Sequence, residues 1–164
     1  MPGEPIEHWD AMFDRGVRNH LLSSRCAAPR MVRRRRGLIV TTTFWDRGRY
    51  LRGNLLYDLA KTAMTRLAFG MAEELREHEV ASIAVSPGWM RTEFVLAGHG
   101  TDEAHFRDQP ALAHRVATLC RSRHDRAGGV RTKSGSVQRV GYLAREYGFT
   151  DVDGRQSEPF EPPE

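Results

Sequence analysis

Two short β-branched apolar runs, joined by one long amphipathic stretch, constrain this chain more than any other feature. The first is Leu38-Ile39-Val40-Thr41-Thr42-Thr43, and the second runs from Val80 to Ser86, where Pro87-Gly88 stops it. Each reads as a buried strand. Between them Leu55, Leu59, Met64, Leu67, Ala68, Met71 and Leu75 recur at helical spacing, with Asn54 placed to cap the start and His78 and Glu79 closing the end. Strand, long helix and strand make a βαβ unit, which requires parallel pairing and a right-handed crossover. The expected fold class is therefore α/β.

Upstream, Trp9, Phe13, Val17, Leu21 and Leu22 predict a helix from about residue 8 to 32. Pro29 should bend or shorten its end, and Gly37 is placed to stop it. Downstream the pattern weakens. Ala111 to Leu119 reads as helix, residues 121–133 as a basic, glycine-rich loop, Gly135 to Val140 as a short strand and Tyr142 to Tyr147 as a helical turn or two. One domain over 1–156 is expected, followed by a disordered Pro/Glu-rich tail at 157–164.

A length of 164 residues suits a single domain, and 25 Lys+Arg against 21 Asp+Glu leave a net charge of +4. The excess is arginine, since only Lys61 and Lys133 are lysines. The run Arg33 to Arg36, with Arg30 before it, raises a nucleic-acid reading, but its place at a helix C-terminus favours a solvated cap. No apolar stretch nears the ~18 residues of a membrane span, and Met1 to Pro5 offers no apolar signal core, so a cytoplasmic protein with no membrane partner is expected. Cys26 and Cys120 stand apart, and neither His99/His105 nor Cys120/His124 has a second ligand pair. Asp151-Val152-Asp153-Gly154 reads as a turn, so no metal site is expected.

The chemistry-bearing pair is Tyr57 and Lys61, four residues apart and so on one helix face. A neighbouring ammonium favours the phenolate and should lower the tyrosine pKa, making a general acid/base pair. In a chain that otherwise uses arginine, a compact ammonium here is informative. Thr41-Thr42-Thr43 brings a hydroxyl to the carboxyl end of the preceding strand, the edge where α/β proteins bind ligands, and Pro87, Gly88 and Thr92 follow the next strand at the same edge.

Strand-end hydroxyl, Tyr-x-x-x-Lys and Pro-Gly-x-x-x-Thr, in that order, resemble the short-chain dehydrogenase/reductase family, clearly from Trp9 to Phe94 and more loosely through Lys133 to Gly135. The resemblance implies part of a Rossmann-like, doubly wound parallel sheet with flanking helices, its N-terminal strands missing. It also implies an oxidoreductase that interconverts an alcohol and a carbonyl by hydride transfer with NAD or NADP. Tyr57 then matches the proton-passing tyrosine, and Lys61 the lysine that holds the nicotinamide ribose and depresses the tyrosine pKa. Thr43 matches the residue that hydrogen-bonds the substrate oxygen, although it lies fourteen positions before Tyr57, one more than expected, with Thr42 its rival. Pro87, Gly88 and Thr92 match the segment touching the nicotinamide carboxamide. Helices 8–32 and 54–78 correspond to those the family uses for subunit contacts, which implies a homodimer.

Two family roles lack an occupant. The register FDRGVRNH puts Gly16 where the family carries an active-site asparagine, and Asn19 is three residues off. The Gly-rich turn that holds the pyrophosphate is also absent, because neither Gly98-His99-Gly100 nor Gly128-Gly129 follows a strand and opens a helix. Weak cofactor affinity and an inactive or impaired enzyme are expected, together with an unpaired edge on strand 38–43. The rival readings are a non-catalytic interaction protein that keeps this half-fold, and a basic nucleic-acid-binding module.

Overall fold

The chain enters its sheet from a long helix whose end is closed by an arginine. In the computed structural model, which describes residues 5–44, 50, 54–87, 129–150, 154 and 156, a π-helical segment at Asp10–Arg18 leads into α1 (Asn19–Arg34). The expected single helix is thus two helical windings in series. Pro29 lies inside α1 and does not end it. The stop comes at Arg35, which adopts the left-handed conformation (φ 46°) and donates its N–H to Val32 O, while Arg36 N–H reaches Met31 O. Such a conformation costs a non-glycine residue about 1 kcal/mol. Here the Arg35 guanidinium is held by Glu77 O at 3.2 Å and Glu79 Oε1 at 3.3 Å. Gly37, expected to be that stop, serves instead as a point of close approach: a Cβ there would lie 2.5 Å from Met31 Sδ.

β1 (Gly37–Thr42) pairs in parallel with β2 (Val80–Ser86), Gly37 opposite Val80 and Thr42 opposite Val85. Thr43 N–H carries the ladder one residue further, to Val85 O at 2.9 Å. β2 pairs in parallel with β3 (Val137–Arg139), giving the order β1-β2-β3. Among the described residues β1 has β2 as its one neighbour, and the central β2 is buried along its whole length. A parallel strand covered on both faces reads as a continuous apolar run, which is why 80–86 was legible.

Between the strands runs α2 (Leu55–Leu75), finished by a 3₁₀ turn at Arg76–His78. Asn54 sits at the cap position, but its side chain makes no capping bond, and Asp58 N–H bonds its carbonyl instead. The buried stripe is Leu56, Ala60, Met64, Ala68 and Ala72, each four residues apart. It shares Met64 and Ala68 with the sequence pattern, while Leu55, Leu67, Met71 and Leu75 are half-buried and Leu59 is 43% exposed. Three alanines on that stripe let the helix lie close to the sheet. At the far end Ser134 Oγ accepts from Ser82 N–H and Gly135 N–H donates to Ser82 O, so the segment 134–135 prolongs the β2 ladder before β3. Gly135, with φ +83°, lies near Ala72 and Phe69 of α2. Helix α3 (Val140–Tyr147) follows, and Val140 packs with Ile83 and Val85.

This is an α/β, partial Rossmann-like architecture of a three-stranded parallel sheet with flanking helices. The helix expected at 111–119, most of the 121–133 loop and the tail 157–164 lie outside the described residues.

Candidate active site

One position round from its buried stripe, α2 presents Tyr57, Lys61 and Thr65, spaced by fours, as a flank facing the carboxyl end of β1. Each of the three is half-buried, and each meets a residue of the strand tip. Lys61 Nζ lies 3.5 Å from Thr42 O and 5.4 Å from the centroid of the Tyr57 ring. The Tyr57 ring in turn lies 6.3 Å from that of Phe44, tilted by 58°. Thr43 Oγ1 is 2.9 Å from Thr65 Oγ1 and 2.9 Å from Lys61 O, which also accepts from Thr65 at 3.1 Å.

Thr43 is only 2% exposed, and its hydroxyl is bonded to α2. The strand alternation explains this: Thr41 and Thr43 are buried on the face that α2 covers, and the residues between and beyond them, Thr42 and Phe44, are only half-buried. The hydroxyl expected to face a ligand thus ties strand to helix, and the side chain beside the Tyr57 ring is Phe44.

The electrostatics also depart from expectation. Burial raises the Tyr57 pKa from its ordinary 10.0, where the spacing to Lys61 led one to expect a lowering. The ammonium lies over the ring face, and desolvation of the phenolate governs the direction. Burial lowers Lys61 from its ordinary 10.5 for the matching reason, since it is the charged form that dehydration disfavours.

A residue that sequence reading passed over stands nearby. His20, in the first turn of α1, is half-buried, and its pKa is lowered first by burial and second by the Lys61 ammonium. Asn19 beside it is exposed. The π-helical winding before α1 alters the side-chain register, so no fixed 3.6-residue count from Trp9 could have identified which side chain turns inward.

Pro87 directly follows β2 at this same sheet edge, while Gly88 and Thr92 lie outside the described residues. Lys133 forms an ion pair with Glu146 at 2.8 Å. Among the described residues there is no group of three potential metal ligands and no helix long and apolar enough to cross a membrane.

Comparison with known proteins identifies the family. The short chain dehydrogenase family model matches residues 4–99. Human dehydrogenase/reductase SDR family member 1 is 32% identical over 162 residues, covering 92% of this chain and 51% of that protein. The chain spans about half the length of the curated relatives it matches. Acetoin dehydrogenase from Enterobacter cloacae superposes with a TM-score of 0.63 at 25% identity, covering 92% of this chain and 61% of that one. A Beutenbergia cavernae structure with bound NADP has the same fold, with a TM-score of 0.62 at 22% identity over 87% of this chain and 60% of its own. The segment from β1 through α2 to β2, which carries Tyr57 and Lys61, lies within residues 4–99, and the chain belongs to the short-chain dehydrogenase/reductase family of oxidoreductases.

Proposed function

We propose that Tyr57 and Lys61 are the proton-handling pair of a site that interconverts an alcohol and a carbonyl by hydride transfer with NAD(P)(H). The observation that carries this reading is the Lys61 ammonium set between the Tyr57 ring and the carbonyl of Thr42, at the carboxyl end of a parallel strand.

Burial keeps Tyr57 protonated at neutral pH, so its phenol is in the form that donates a proton to a substrate oxygen during carbonyl reduction. An ammonium has three donors, and the single long bond to Thr42 O leaves Lys61 able to hold the hydroxyls of a nicotinamide ribose. The cofactor, when bound, supplies or accepts the hydride. Thr43 we read as a positioning residue that fixes the β1 tip to α2, because its hydroxyl is already engaged there. Pro87, Gly88 and Thr92 we assign to the carboxamide side of the cofactor, following the resemblance.

The sequence holds no Gly-rich strand–turn–helix for the pyrophosphate, so cofactor affinity should be weak and turnover impaired. Exposed Leu21 and Leu22 on α1, with Leu59 and Phe69 on α2, support a homodimer built on these helices. Calorimetry with NAD(H) and NADP(H) tests the cofactor reading, and micromolar binding would contradict it. Alcohol oxidation and carbonyl reduction at saturating cofactor, compared with Tyr57→Phe, tests the reaction.

A further inference from the structure

The resemblance places a substrate-facing hydroxyl thirteen positions before Tyr57, and in this chain that position is Phe44. Thr43, one residue earlier, is turned to the opposite face with its hydroxyl bonded to Lys61 O and Thr65. Thr42 contributes its carbonyl to Lys61. The group that the strand tip presents beside the Tyr57 ring is therefore aromatic and half-buried, its ring tilted by 58° at a centroid distance of 6.3 Å.

We propose that Phe44 is a specificity-determining residue: it receives the aryl or other flat apolar group of an alcohol or carbonyl whose oxygen lies against the Tyr57 phenol. This rests on the proton-pair reading above and adds to it the class of substrate. The physical reasons are threefold. A phenyl ring cannot bond a substrate oxygen, so Phe44 contributes no polarisation of the reacting group. A small polar substrate would leave the Phe44 surface partly wet and uncompensated. A ligand with a flat apolar group removes that surface from water and gains a ring contact, while Tyr57 Oη and Lys61 Nζ remain the polar handles that orient its oxygen.

The test uses the chain as it is, titrated with racemic 1-phenylethanol and with 2-butanol and followed by saturation-transfer NMR. The two are secondary alcohols that differ in the phenyl group. The phenyl alcohol is expected to half-saturate the protein at about tenfold lower concentration. Phe44→Ala should shrink that ratio to about twofold, and Phe44→Leu, which keeps apolar bulk without a ring, should give an intermediate ratio. Circular dichroism and the unfolding midpoint report whether both variants are folded. Equal half-saturation by the two alcohols in the unsubstituted chain overturns the proposal. So does a ratio that survives in both Phe44 variants, or saturation transfer from neither alcohol. Tyr57→Phe separates the two claims. Weakening of both alcohols alike supports the proton pair, whereas unchanged affinity with an intact phenyl preference overturns the pair and retains the aromatic wall.

Discussion

Thr43 and Thr65 share a hydrogen bond of 2.9 Å that pins the tip of β1 to α2 one helical turn beyond Lys61. Both hydroxyls also reach Lys61 O, so the turn that carries the ammonium is fastened from two sides. Thr43→Val removes a hydroxyl whose hydrogen-bonding neighbours, Lys61 O and Thr65 Oγ1, are part-buried. A loss of about 1 to 2 kcal/mol is expected from urea unfolding midpoints at constant slope. A double-mutant cycle with Thr65→Val should recover a coupling of about 1 kcal/mol.

The Tyr57 phenol should ionise above its ordinary 10.0, because burial disfavours the phenolate. The difference in ultraviolet tyrosinate absorbance between the chain and Tyr57→Phe isolates this group. Between the unfolded and folded pKa values the unfolded chain binds fewer protons, so stability should fall as pH rises through that window. A midpoint below the ordinary value would reinstate the Lys61-induced lowering that the sequence alone suggested.

Lys61 carries the opposite sign. Its folded pKa lies below its ordinary 10.5, so between the two values the unfolded chain holds the extra proton and stability rises with pH. Near neutral pH the buried cation is therefore a liability to the fold. Lys61→Met is expected to stabilise by about 1 kcal/mol while weakening any nicotinamide nucleotide binding, a trade common at functional positions. Thermal unfolding and calorimetry on the same variant check both halves.

Gly37→Ala should destabilise by about 1 to 2 kcal/mol, because the new methyl would lie 2.7 Å from Met31 Cβ, an atom that cannot swing away. Combining it with Met31→Ala removes Met31 Sδ and Cγ, which would lie 2.5 and 2.6 Å from the new methyl, and leaves the Cβ contact alone. Unfolding midpoints should then show the Gly37 substitution costing less in the Met31→Ala background than in the unsubstituted chain.

The strand–helix–strand core was legible because its periodicities are strong: β2 occupies the residues its apolar run marks, and α2 differs from expectation by little at either end. Tyr57 and Lys61 were legible as neighbours for the same reason, since a spacing of four fixes a common helix face. What failed depended on rotation and orientation. Leu59 looked like core, yet the helix turns its alanine stripe to the sheet, because close approach favours small side chains. Thr43 looked available, yet strand alternation faces it to α2 and leaves Phe44 beside Tyr57. Arg35 rather than Gly37 closes α1, an outcome that depends on Glu79, far away in sequence. His20 was hidden by the π-helical winding before it.

The most direct measurement is alcohol–carbonyl turnover with NAD(P)(H) at saturating cofactor, using 1-phenylethanol and its ketone, in the chain and in Tyr57→Phe. A proton-passing Tyr57 predicts turnover in the chain that falls about a hundredfold or more in the variant, with the fold unchanged by circular dichroism. Equal turnover in the two proteins would contradict a working Tyr57–Lys61 pair.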